Sequence, residues 1–174
     1  YVIAVLAEGE LTILELVKEL SQPSLNLHSV DGIVFSENGI IVKTRSRELI
    51  KNIDEIPFPK HELFFKGNRT CGDILTTRGC PFNCSFCCLN STSQYKVRMR
   101  TVDNIIKEIE WMAQKFPKMT DIWIHDDTFF VDNQRVIDFC DEIIKRNIKI
   151  NFSCQGRVKP VSEKMVKKLE QANF

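Results

Sequence analysis

Cys80, Cys84 and Cys87 stand in the pattern CxxxCxxC within residues 76–88, TTRGCPFNCSFCC. Thiolates are soft ligands that hold iron–sulfur clusters or zinc. Three cysteines on one short loop suit a cubane, in which three of four irons take a protein ligand and the fourth stays open. A structural zinc ion asks for a fourth ligand and usually for two paired CxxC knuckles. Cys88 is adjacent to Cys87, and two neighbouring residues rarely reach one metal together. Farther on, Asp126 and Asp127 are paired carboxylates. They either cap the helix that follows or bind a ligand. Arg157 is either a surface arginine or a bidentate partner for an anion.

These groups need a scaffold, and residues 72–174 supply one by alternating strand and helix three times. The strands are expected at Asp73 to Thr77, Asp121 to His125 and Ile148 to Ser153. The helices are expected from about Val102 to Phe116, from Asn133 to Arg146, and from near Ser162. Their apolar residues recur at helical spacing, as in Val102, Ile105, Ile106, Ile109 and Met112. Such alternation predicts an α/β fold with a parallel sheet and right-handed crossovers. In barrel-like α/β folds, functional groups lie at the C-terminal ends of the strands. The three expected strands end at the cysteine loop, at His125-Asp126-Asp127, and at Ser153 to Arg157. Clusters far apart in sequence therefore converge on one rim.

The first 70 residues read differently. Tyr1 to Ala7 is a short apolar strand, and Ile13, Leu16, Val17 and Leu20 make one face of a helix. Thr12 and Glu15 fit a capping box. Asn38-Gly39, between two apolar runs, is a strong hairpin signal, because both turn residues must tolerate positive φ. Pro57-Phe58-Pro59 reads as extended. Three segments are expected: a βα unit over 1–22, a linker with a β-hairpin over 23–70, and the strand–helix domain over 71–174.

Lys and Arg number 24 and Asp and Glu 23, so the formal net charge is +1. Nothing in that balance points to a nucleic acid or an anionic membrane. No apolar run approaches the ~18 residues of a membrane span. Four of the seven cysteines fall within 80–88. That pattern argues against a secreted disulfide framework and for a reducing cytoplasm.

With Phe86 before the third cysteine, and Arg78, Gly79, Pro81, Phe82 and Asn83 around it, the cysteine loop resembles the signature of radical S-adenosylmethionine (SAM) enzymes. IHDDTFF resembles the DD-containing form of the branch linked to cobalamin-binding domains. AEGE before a Leu-rich helix is similar to the last βα unit of such a cobalamin domain, and GIVFSENGIIVKT with NIDEIPFP to the linker that follows it. The resemblance implies a partial TIM-like barrel of about three βα units, preceded by a hairpin linker and a remnant βα unit. It implies a 4Fe-4S cluster on Cys80, Cys84 and Cys87. It also implies SAM on the open iron, with Asp126 and Asp127 near its ammonium, Arg157 near its carboxylate and Phe86 near its adenine. The implied reaction is one-electron cleavage of SAM to a 5′-deoxyadenosyl radical, fed by a donor such as flavodoxin or ferredoxin. Methyl transfer or cyclisation follows, with cobalamin in the full-length protein. The alternatives are a methylthiotransferase-like radical SAM protein and a non-catalytic zinc module. A start at Tyr1 and the lack of a fourth strand lead to the expectation of a fragment, inactive alone.

Overall fold

The computed structural model describes residues 2–66, 69–88, 96–159 and 161–174. It divides into two compact units, Tyr1–Lys51 and Asn52–Phe174.

In the first unit, β1 (Ile3–Val5), β2 (Ile33–Glu37) and β3 (Ile40–Lys43) form an antiparallel sheet in the order β1-β2-β3. The β2–β3 turn is made by Asn38 at φ 51 and Gly39 at φ 80, both in the left-handed region as the sequence required. Helix α1 (Glu10–Leu20) follows β1. The capping box expected at Thr12 is absent. The helix begins one turn earlier with Gly9 as its N-cap and no side-chain cap. Thr12 is buried instead, and its hydroxyl donates to the Asp31 carbonyl at 3.3 Å. A narrow sheet covers only one stripe of α1. Thr12 and Leu16 are buried, while Ile13, Val17 and Leu20, expected on the buried face, stand about half exposed.

In the second unit, β4 (Cys71–Ile74), β7 (Asp121–Ile124) and β8 (Asn151–Cys154) form a parallel sheet in the order β4-β7-β8. Helices α2 (Val102–Lys115), α3 (Asn133–Lys145) and α4 (Glu163–Gln171) follow these strands in turn. Each is capped by a side chain, those of Thr101, Asp132 and Ser162, so the cap of α3 is Asp132 and not Asp126 or Asp127. Strand β4 starts two residues earlier and β8 three residues later than expected. A short antiparallel ribbon, β5 (Thr77–Arg78) with β6 (Arg98–Met99), is an addition the sequence did not announce.

One sheet face packs Ile74, Ile122, Ile124 and Phe152 against Ile105, Ile106, Ile109 and Met112 of α2 and Val136, Phe139, Cys140 and Ile143 of α3. Each fully buried Ile or Phe there contributes about 1.5–3 kcal/mol. Phe139 is buried in this face, while Ile144 is exposed.

The division between the two compact units falls at 51/52. The βα unit and the hairpin share one sheet, because β1 pairs with β2. Residues 52–66 belong with the second unit, where Asp54 accepts from the Thr101 backbone and hydroxyl and His61 pairs with Glu108. Among the described residues, no helix is long and apolar enough to cross a membrane.

Candidate functional site

Strand β4 ends at Ile74, and after two intervening residues the chain enters β5 and the cysteine loop. Gly79 takes φ 88, a conformation that L side chains rarely adopt, and so turns the chain into the loop. Cys80, Cys84 and Cys87 are half-buried, Cys88 is exposed, and none is in a disulfide. The Cys87 N–H donates to the Cys84 carbonyl at 3.0 Å, closing the turn between the second and third cysteines. Cys71, Cys140 and Cys154 are a different class of thiol. Burial is the first cause that raises each of them, pushing Cys140 up to about 12 and Cys154 to about 11. Of the three, Cys140 is buried in the core and Cys154 packs against it. Among the described residues, no group of three or more His, Cys, Asp or Glu is placed to hold a single metal ion.

The end of β8 reaches this loop. The Arg157 guanidinium lies 3.9 Å from the centre of the Phe82 ring, and its Nη1 is 3.9 Å from Cys84 Sγ. Gly156, just before Arg157, packs closely against Phe130. A Cβ there would stand 2.1 Å from the Phe130 ring. Gly156→Ala should therefore cost about 1–3 kcal/mol through overpacking. Thermal unfolding checks this, and an unchanged midpoint would mean that the Phe130 ring yields freely. Phe86 is 91% exposed, and its ring lies open on the loop.

The two aspartates part company. Asp127 is exposed at the rim beside the Gly79 amide. Partial desolvation raises its carboxyl above the usual range and the charge of Asp126 adds to this, against the opposing Gly79 hydrogen bond. Asp126 is 1% exposed, and its carboxylate is already occupied. Oδ1 accepts from the backbone amides of Thr76 at 2.6 Å and Thr77 at 2.9 Å, and Oδ2 accepts from the Thr76 hydroxyl. Asp126, expected beside a ligand, turns its carboxylate to the segment beneath the cysteine loop. Strand alternation carries it inward with Ile122 and Ile124, and the backbone beneath the cysteine loop takes its lone pairs.

Of the groups around it, sequence reasoning missed Arg135, Glu108 and His61. Arg135 of α3 donates from Nη2 to the Thr76 carbonyl at 2.8 Å and from Nε to the Arg100 carbonyl at 3.2 Å. Arg100 donates to the Leu75 carbonyl at 2.8 Å and to the Glu108 carboxylate. Glu108 Oε1 is 2.8 Å from His61 Nε2, and both residues are buried. His125, given no role in the sequence, lies on the exposed sheet face with Nε2 2.7 Å from Asp73 Oδ1, stacked on Trp123. Tyr95, which follows the cysteine loop in the sequence, lies outside the described residues. The cysteine loop, Asp127 and Arg157 thus meet at one rim, as expected from the strand ends.

Residues 74–174 match the Radical SAM superfamily. An uncharacterized methyltransferase of Pyrococcus horikoshii is 34% identical, over 94% of this chain and 36% of that protein. A 4'-phospho-dehydrooxetanocin synthase of Priestia megaterium is 28% identical, over 90% of this chain and 22% of that protein. The chain thus spans about a third or less of the length of these curated relatives. Among solved structures, the radical SAM methyltransferase TsrM of Kitasatospora setae, with cobalamin and a [4Fe-4S] cluster bound, superposes with a TM-score of 0.79. It does so at 16% identity, over 98% of this chain and 36% of that one, a likeness of fold.

Proposed function

The chain belongs to the radical SAM superfamily, and on that premise we propose that it carries the cluster- and SAM-binding part of an enzyme of the cobalamin-linked branch. The observation behind this is the donor set. Three free, half-buried cysteines share one loop at the C-terminal end of a parallel strand, with Asp127 and Arg157 on the same rim. The set fits a cubane better than a single ion. Each thiolate then binds a different iron, so the sulfurs need not converge on one point. When bound, cluster and SAM together supply a 5′-deoxyadenosyl radical that abstracts hydrogen from substrate.

The protein's own part is ligation, orientation and shielding. Cys80, Cys84 and Cys87 hold three irons. The Arg157 Nη1 beside Cys84 Sγ would set a positive charge next to a ligating thiolate, and leaves the guanidinium at the rim for a carboxylate. Asp127, open to the same rim, accepts from the SAM ammonium. Phe86 offers an uncovered ring to the adenine. The three-stranded sheet is then the first part of a TIM-like barrel, with its exposed face turned to the lumen. The βα unit over 1–22 is the close of a cobalamin-type domain, and residues 23–70 join the two. An electron donor of the flavodoxin or ferredoxin kind, a cytoplasmic setting, and methyl transfer or cyclisation as the outcome complete the proposal. The clustering of four of the seven cysteines within 80–88 supports the reducing compartment.

Asp127→Asn in the full-length protein should weaken SAM binding by about 1.5–3 kcal/mol, the value of a hydrogen bond to a charged group. Iron content should stay unchanged. Calorimetric titration of the reconstituted protein tests this, and equal affinity in the variant would remove Asp127 from the site. The raised carboxyl of Asp127 adds a pH dependence. SAM affinity should fall on acidification at a higher pH than an ordinary aspartate would give. Apo-protein stability carries the opposite sign. A group raised in the folded state favours the fold while protonated, and that gain is lost as pH rises through its folded range.

A further inference from the structure

Between the end of β4 and the first cysteine the chain passes through Thr76 and Thr77, both buried. Every polar atom of Thr76 is taken, by three separate elements. Its amide and hydroxyl donate to Asp126 at the end of β7. Its carbonyl accepts from Arg135 of α3 at 2.8 Å and from the Arg100 amide after β6 at 3.0 Å. The charges are matched. Burial lowers the Arg135 guanidinium, and Asp126 is the first of the groups that oppose this. Buried amides without partners would cost about 1–3 kcal/mol each, so the chain can leave the sheet here only while this clamp holds.

We infer that Asp126, with Arg135 and Arg100, is a positioning device that sets where the cysteine loop leaves the sheet. It does not contact SAM. The inference rests on the cluster reading of the loop for its purpose, though not for its geometry. Metal ligands must sit within about ±0.2 Å of their ideal distances. Thr76 is only four residues from Cys80, so a small rotation there displaces the first thiolate by more than that tolerance. The two adjacent aspartates thus divide the work: Asp126 holds the protein to itself, and Asp127 faces the ligand.

Two substitutions probe the clamp in the full chain. Asp126→Asn keeps the shape but turns an NH2 group towards one of the amide or hydroxyl donors. Thr76→Val removes only the hydroxyl, and Thr76→Ser restores it. After anaerobic reconstitution, Asp126→Asn and Thr76→Val should hold iron about 10–100-fold more weakly, the usual effect of losing a group that orients ligands. The electron paramagnetic resonance spectrum of the reduced cluster should change with them, while Thr76→Ser matches wild type and far-UV circular dichroism stays constant. Should Asp126→Asn fail to fold, the Thr76 pair decides. Trypsin cleavage at Arg78 in the apo-protein gives a readout independent of any cluster. It should be faster in Thr76→Val than in wild type or Thr76→Ser. Equal cleavage rates, or wild-type iron retention and spectrum in Thr76→Val, would overturn the inference. So would an Asp126→Asn protein with a normal cluster and no response to SAM, because Asp126 would then be a SAM ligand. A wild-type protein that takes up no iron while the cleavage difference persists would instead overturn the cluster reading and leave the clamp standing.

Discussion

Cys84→Ala in the full chain is expected to abolish cluster binding, and Cys80→Ala and Cys87→Ala to do the same. The three thiolates are the only ligands the loop offers at CxxxCxxC spacing, and loss of one leaves two irons without a protein ligand. Cys88→Ala should load fully, because Cys88 is exposed and adjacent to a ligand already in use. Cys140→Ala should load as well. That thiol is pushed up to about 12 by burial in the core, on α3. The measurement is anaerobic reconstitution followed by iron and sulfide assays and the broad visible absorbance of a cluster. A full iron load in Cys84→Ala would sink the assignment. Zinc without sulfide in the wild-type protein would favour the structural-metal alternative.

The largest effect on stability is expected at Glu108. Its carboxylate is 1% exposed and lies between two partners, Arg100 and His61. Removing one member of a buried pair leaves the other uncompensated, at about 3–5 kcal/mol. Glu108→Ala should lose that much in urea unfolding. Glu108→Gln, which keeps the volume and one acceptor, should lose about 1–3 kcal/mol, the penalty of a weakened buried hydrogen bond. A Glu108→Ala protein within about 0.5 kcal/mol of wild type, the range of a surface change, would show that water replaces the carboxylate. Arg100 also holds the Leu75 carbonyl at the end of β4. The loss should therefore spread to the base of the cysteine loop, as weaker iron retention.

The parts of this molecule that were legible in the sequence are those where local pattern and tertiary demand agree. The helices α2, α3 and α4 follow apolar residues at helical spacing and begin at Thr101, Asp132 and Ser162, whose side chains cap them. The cysteine spacing marked the loop, and the strand ends marked the rim. The roles of Asp126 and Asp127 were not separated, although a signal was present. Ile122, Ile124 and Asp126 share one strand face, and Trp123, His125 and Asp127 share the other. Carrying the period of two one step past the strand end would have turned Asp126 inward. Glu108 had a similar mark, since it falls on the stripe of Ile105, Ile109 and Met112 and so had to be buried. Its partners His61 and Arg100 come from distant segments, and no local pattern names them. In the first unit the error ran the other way. The apolar face of α1 was legible, but its covering by only Thr12 and Leu16 depends on the width of the sheet beneath it.

The β5–β6 ribbon has a consequence for how the loop can vary. Thr77 pairs with Met99 and Arg78 with Arg98, so the two ends of the loop are already side by side. The entropy of closing the loop is thus met by strand pairing rather than by metal binding. Closure entropy grows slowly with length, by about 0.6 kcal/mol per doubling. While the ribbon stays paired, a change in the length of chain that it closes costs little in closure entropy, whereas the spacing of the three cysteines is set by the ligand that they share.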